Sequence, residues 1–257
     1  MKNGGILDGI RIGCVKYLNA RPLIGAYPGP VVFEHPSALA KFIWNGDLEA
    51  GLVPVFEAFQ HPGYAAVDGV GICSDGPVYS VFLAHRVPLK EVRSVCLDTA
   101  SLTSVNLLRV LCAEFFGIAP RTDAAGGDAD SRLLIGNQAI DFRMRNEPGW
   151  QILDLGEAWK QCTGLPFVYA VWLLRPGIGE SGAVADAFRA LKVEGVQRLE
   201  EWIQSDSFQT EAFRRQYLGG YIRYTLGPEE KRGLTEFRRL LEKGGLIPAG
   251  GAALEFI

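Results

Sequence analysis

Residues 95–107, VCLDTASLTSVNL, decide how this chain is read. Val95 and Leu97 mark a strand of the buried type, and it runs through a Ser/Thr-rich turn into an amphipathic helix. Val105, Leu108, Leu111, Cys112 and Phe115 share the core-facing side of that helix. Ser101, Thr103 and Ser104 place hydroxyls where first-turn N–H groups lack intrahelical partners and the helix dipole is positive. Such a terminus holds a carboxylate or phosphate without a metal or a lysine. Ser and Thr are also ordinary helix N-caps. Three hydroxyls within residues 101–104 exceed the needs of one cap, and at this level both readings stand.

The same strand-to-helix step recurs on either side. Upstream, Ile10–Val15 reads as a strand and Pro36–Trp44 as a helix with Leu39, Phe42 and Ile43 on one face. Gly51–Phe56 and Ala65–Cys73 are further apolar runs, and the turn signal Ser74-Asp75-Gly76-Pro77 leads into a strand at Val78–Ala84. Downstream, the helix Thr103–Phe116 closes on Gly117. Arg132–Ile135 reads as a strand, Leu155–Thr163 as a helix stopped by Gly164 and Pro166, and Phe167–Leu174 as a strong strand. The remainder is helical, with Val184, Phe188 and Leu191, then Leu199, Trp202 and Ile203, then Leu234, Phe237, Leu240 and Leu241 on apolar faces. The last helix opens on Pro228. Two α/β units followed by helices predict two lobes, joined through Val78–Ala84 and Phe167–Leu174, with a ligand cleft between them.

Composition bounds the function. With 257 residues, 48% hydrophobic and 21% charged, the chain has the balance of a folded globular protein. A net charge of −3 and no long Lys/Arg block argue against a nucleic-acid partner. The N-terminal apolar residues are interrupted by Asp8, Arg11 and Lys16, which is unlike a signal peptide or a membrane span and predicts a cytoplasmic protein with no membrane partner. Five cysteines without a CxxC pair and three histidines without ligand spacing predict neither a disulfide framework nor a metal site.

Seven segments together resemble the chorismate dehydratases of the futalosine route to menaquinone. They are IGCVKYLNARPL (12–23), GLVPVFEA (51–58), SDGPVYSVFLAH (74–85), LDTASLTSVNLLRVLC (97–112), LLIGNQAI (133–140), DLGEAWKQCTGLPFVYAVW (154–172) and YIRYTLGPEEKRGLTEFRRLLEKGGLI (221–247). The resemblance implies an α/β, two-lobed, type II periplasmic-binding-protein-like fold with the active site in the inter-lobe cleft. Lobe I is expected to comprise 1–82 and 174–257, including the C-terminal helices, and lobe II 83–173. It further implies that chorismate, a small dicarboxylate, loses water to give 3-[(1-carboxyvinyl)oxy]benzoate, with no cofactor.

By that resemblance Asn19 and Ser80 are the polar catalytic residues. Ser101, Thr103 and Ser104 form a carboxylate site, and Asn137 stands in the substrate-binding set where the family pattern most often has Asp. Arg21 is a candidate cation near the cleft, and Tyr17, Tyr79 and Phe82 are candidate walls for the ring. No His or Glu stands out as a base. Glu57, with Asp75 and Asp98 behind it, is the nearest acidic candidate, and the enolpyruvyl carboxylate of the substrate is the alternative base. Two other functions fit the same fold: a cytoplasmic anion- or solute-binding protein without catalysis, and the related dihydroxynaphthoate-forming enzyme. The latter opens on a Ser-Pro-Cys-Pro-Asn-Asp type motif where this chain has VKYLNARPL. No G-x-G-x-x-G follows a predicted strand, which discounts a nucleotide enzyme.

Overall fold

The chain's computed structural model describes residues 4–61, 63–98, 101–124 and 129–257. Thr99 and Ala100 of the opening stretch lie outside them. The strands are β1 (Ile12–Cys14), β2 (Val31–Phe33), β3 (Ala50–Pro54), β4 (Ala65–Ser74), β5 (Val81–His85), β6 (Ser94–Leu97), β7 (Arg121–Ala124), β8 (Ser131–Ile135), β9 (Gln151–Asp154), β10 (Phe167–Leu174) and β11 (Glu255–Phe256). They form two sheets, ordered β11-β4-β10-β3-β1-β2 and β7-β6-β8-β5-β9.

Two compact units result, one of residues 1–73, 168–228 and 251–257 and the other of 74–167 and 229–250. These limits differ from the expected 82/83 and 173/174. The segment Val78–Ala84, expected to join the lobes, lies wholly in the second unit, because β5 pairs along its length with β8 and β9. Residues 229–250 also belong to the second unit. There Phe237 meets Trp159 and Phe167 edge-on, with centroids 5.9 and 5.0 Å away. Gly233 lets the helix Pro228–Lys243 approach so closely that a Cβ would stand 2.1 Å from the Pro166 carbonyl oxygen.

In the first unit, β1 runs parallel to β2 and β3, and β10 antiparallel to β3. The runs Ile12–Cys14 and Ala50–Pro54 are buried at every position, as expected of parallel strands covered on both faces. Trp172 of β10 stacks on Phe188 of the helix Ser181–Gln197 at 4.4 Å. In the second unit β6 lies parallel to β7 and β8, and β5 antiparallel to β8 and β9. Phe82, Ala84, Ala139 and Phe142 form a core cluster there. Phe82 is therefore packed inside that unit and is not a wall for a ligand ring.

The helix expected at Thr103–Phe116 is α-helical over Leu102–Val110 and continues as a π-helix over Leu111–Phe116. It ends at Gly117, whose φ of 64° is the left-handed cap glycine supplies. None of the helices among the described residues is long and apolar enough to cross a membrane.

Candidate active site

The strand directions of the second unit gather its candidate residues at one end of the sheet. Parallel β6 and β8 both end there, as does β9, and antiparallel β5 begins there. Three helices start from that end: Leu102–Val110, Gly136–Arg145 and Leu155–Thr163. Each start carries first-turn N–H groups; at Leu155–Thr163 those of Gly156 and Glu157 are taken by the Asp154 carboxylate, which leaves the starts at Leu102 and Gly136 as the ones suited to an anion.

Ser101 is the N-cap of the first of these helices. Its Oγ accepts from the Ser104 backbone N–H at 3.4 Å and lies 3.3 Å from the Ser104 hydroxyl, which donates to it. Capping is thus real, and it engages two of the three hydroxyls. Ser101, Thr103 and Ser104 are all buried.

Ser80 immediately precedes β5. Register pairs Val81 with Ile135, which sets Ser80 level with Gly136, and the Gly136 N–H donates to the Ser80 carbonyl at 2.8 Å. The fold thereby brings Ser80 beside the helix start that carries half-buried Asn137. Gln138 of the same turn hydrogen-bonds Asp98 at the end of β6. Asp75 pairs with Lys160 at 2.6 Å.

The residues Val78–Ser80, expected as strand, form a γ-turn instead. The Ser80 N–H donates to the Val78 carbonyl at 2.8 Å around Tyr79, whose φ is +68°. The Val78 and Tyr79 N–H groups bond the Asp154 carboxylate rather than a neighbouring strand, which is why β5 starts later than its apolar run. Sequence reading missed Asp154. Its signal was present, since Asp154-Leu-Gly-Glu157 has the Asp-x-x-Glu form of a helix start.

In the first unit, β1 leads into Tyr17 and a single 3₁₀ turn, Leu18–Ala20. Asn19 sits in that turn, 9% exposed, and its Oδ1 is buried without a hydrogen-bond partner among the described residues. A buried amide oxygen left unpaired costs stability, so it calls for an explanation such as a bound partner. Arg21 is committed to its own unit, hydrogen-bonding Asp206 with its guanidinium 5.2 Å from the Trp202 ring centroid. Tyr17 and Arg21 line a cavity of about 560 Å³ together with Lys16, Tyr27, Phe33 and Trp202.

Glu57 follows β3, the strand beside β1, in the first turn of the helix Val55–Gln60. Burial raises its carboxyl pKa above the ordinary carboxylate value, against a hydrogen bond from Trp44 and the charge of Lys41. Among the described residues, no three His, Cys, Asp or Glu side chains gather into a metal-binding group.

Comparison with known proteins places the fold and the family. The chain is 29% identical to a chorismate dehydratase of Thermus thermophilus over 90% of its own length and 94% of the relative's. Its backbone superposes on protein AF1704 of Archaeoglobus fulgidus with a TM-score of 0.74 at 15% identity, covering 93% of this chain and 98% of that one. Candida albicans CA3427, described as having the generic periplasmic binding protein structural fold, gives 0.63 at 9% identity over 94% and 91%. The fold is that of the periplasmic binding proteins. A family model for menaquinone biosynthesis matches residues 10–243, and the chain belongs to that family.

Proposed function

We propose that this chain is a chorismate dehydratase, a hydro-lyase of the cytoplasm that converts chorismate to 3-[(1-carboxyvinyl)oxy]benzoate and water on the futalosine route to menaquinone. The observation that carries the proposal is its similarity, over nearly its full length, to the Thermus thermophilus enzyme of that name.

The chemistry suits the groups at hand. Loss of the C3 hydrogen sends its electron pair into the ring as the C4 hydroxyl departs, and the ring becomes aromatic. The C3–H bond is conjugated with the ring carboxylate, so negative charge grows on that carboxylate as the proton leaves. Donors aimed at it stabilise the transition state more than the ground state. We assign that task to the helix terminus bearing Ser101, Thr103 and Ser104. Asn137 and Tyr17 are further contacts in this reading, and Arg21, bonded to Asp206, contributes long-range charge at most. Asn19 and Ser80 are assigned to the reacting side, where the unpaired Asn19 Oδ1 accepts a hydrogen bond from the substrate. The enolpyruvyl carboxylate takes the proton. Its position within the substrate supplies the proximity that a separate base would otherwise need.

Incubation of the purified protein with chorismate alone, followed by chromatography and mass measurement, is expected to show loss of one water. Unchanged chorismate overturns the assignment and favours an anion-binding protein of the same fold. Ser80→Ala and Asn19→Ala are expected to lower kcat on the order of 100-fold. Glu57→Gln is expected to keep turnover. Its abolition, with folding and product binding intact, replaces the substrate carboxylate by a protein base.

A further inference from the structure

The γ-turn that presents Ser80 is closed by its own Ser80 N–H to Val78 carbonyl bond at 2.8 Å and is also gripped from outside. Tyr79 stands in a region of backbone space that a bulky residue adopts only where its surroundings impose it. Asp154 accepts from both N–H groups at the start of the turn, those of Val78 and Tyr79. Its carboxylate is 4% exposed, and its two oxygens have different work. Oδ1 accepts from the N–H groups of Val78 at 3.1 Å, Gly156 at 3.0 Å and Glu157 at 3.1 Å. Oδ2 accepts from the Tyr79 N–H at 2.8 Å and from Arg143 Nη1 at 3.4 Å. Arg143 completes the enclosure, with its guanidinium carbon 4.1 Å from the Tyr79 ring centroid and Nη1 3.5 Å from the Tyr79 carbonyl oxygen.

Helix capping accounts for Oδ1 alone, since both first-turn N–H groups use that oxygen. Oδ2 serves the residue at positive φ and the arginine that covers it. We propose that Asp154 is a positioning residue for the reaction, its Oδ2 clamping the γ-turn at Tyr79 so that Ser80 stands where the substrate needs it. The inference rests on the role given to Ser80 above. Without that acceptor the Tyr79 N–H loses its partner, its backbone relaxes toward extended values, and Ser80 shifts. A displacement near 1 Å is enough to cost on the order of 100-fold in rate.

Asp154→Asn separates the two oxygens. The amide turns its NH₂ toward Tyr79 and Arg143, because the opposite orientation would set it against three donors instead of two. The cap is kept and the clamp is lost. Three outcomes are expected together. The Tyr79 amide exchanges its hydrogen on the order of 100-fold faster while Gly156 and Glu157 stay within a few-fold. The value of kcat falls about 10- to 100-fold with KM within about 3-fold. The double variant Ser80→Ala with Asp154→Asn is no slower than Ser80→Ala, because both act through one group.

Additive losses in the double variant overturn the inference, and so does unchanged protection of the Tyr79 amide. Full activity of Asp154→Asn beside a slow Ser80→Ala overturns it while leaving the functional reading intact. Failure of the wild-type protein to dehydrate chorismate removes that reading and the inference with it. Should Asp154→Asn not fold, Arg143→Ala weakens the same enclosure without touching the cap. It is expected to lower kcat about 3- to 10-fold, and full activity with unchanged Tyr79 exchange overturns the proposal there.

Discussion

Gly195→Ala tests how the chain after β1, which carries Asn19, is held. Gly195 lies near the end of the helix Ser181–Gln197, where that helix crosses the short helix Arg21–Ile24. A Cβ on residue 195 would stand 1.8 Å from the Pro22 carbonyl oxygen and 2.7 Å from its carbon. Ordinary contact requires the two backbones to part by roughly 1.5 Å more. Alanine gains at most about 1 kcal/mol over glycine from helix propensity. Overpacking costs about 1–3 kcal/mol and occasionally more, and the obstacle here is backbone that cannot rotate aside, so the upper end applies. The net is a loss of about 2 kcal/mol, which for a chain of this size lowers Tm by about 4–8 °C. Thermal unfolding followed by circular dichroism or calorimetry reads it directly. Because the displaced residues follow Asn19 in sequence, kcat should fall as well. A variant that melts at or above the wild-type temperature refutes the claim that this glycine is required by the close approach.

Other expectations follow from single side chains. Ser101→Ala removes the N-cap of Leu102–Val110 and should cost about 1 kcal/mol in urea unfolding, with weaker binding of the dicarboxylate product measured by calorimetry. Phe82→Ala empties a fully buried site in the second unit and should cost about 3–5 kcal/mol; a loss under about 1 kcal/mol contradicts the core placement. Glu57 has a folded pKa raised by burial from an ordinary value of 4.5. Its contribution is therefore fully present below that value and is lost as pH rises through the folded pKa. In urea midpoints measured from pH 4 upward, Glu57→Gln should lack this downward slope, and an identical slope in both proteins sinks the assignment.

Much of the architecture was legible because it rests on local rules. The helix Leu155–Thr163 and the strand Phe167–Leu174 lie where periodicity and Gly164 placed them, since a 3.6-residue pattern ended by a left-handed glycine is a property of the chain segment itself. Gly117 closed its helix for the same reason. The helix Gly136–Arg145 escaped notice, as it begins on a glycine at φ +61° and its apolar face is short, made by Ala139, Ile140 and Phe142. The π-helical continuation at Leu111–Phe116 carries the same apolar spacing as an α-helix over so short a run, so pattern alone does not separate them.

The sequence by itself determined an α/β protein, a helix start at Ser101–Ser104 and the family to which the collinear motifs belong. Only the tertiary structure decided what those residues do to one another. An apolar run at Val78–Ala84 became a turn plus a strand because a carboxylate 75 residues away in sequence captures the Tyr79 N–H. Arg21 was drawn to Asp206, 185 residues distant, and Asn19 was left with an unpaired buried oxygen. Helix and strand preferences act over a few neighbours, whereas hydrogen-bond satisfaction in a buried site is settled among groups that meet only when the chain has folded.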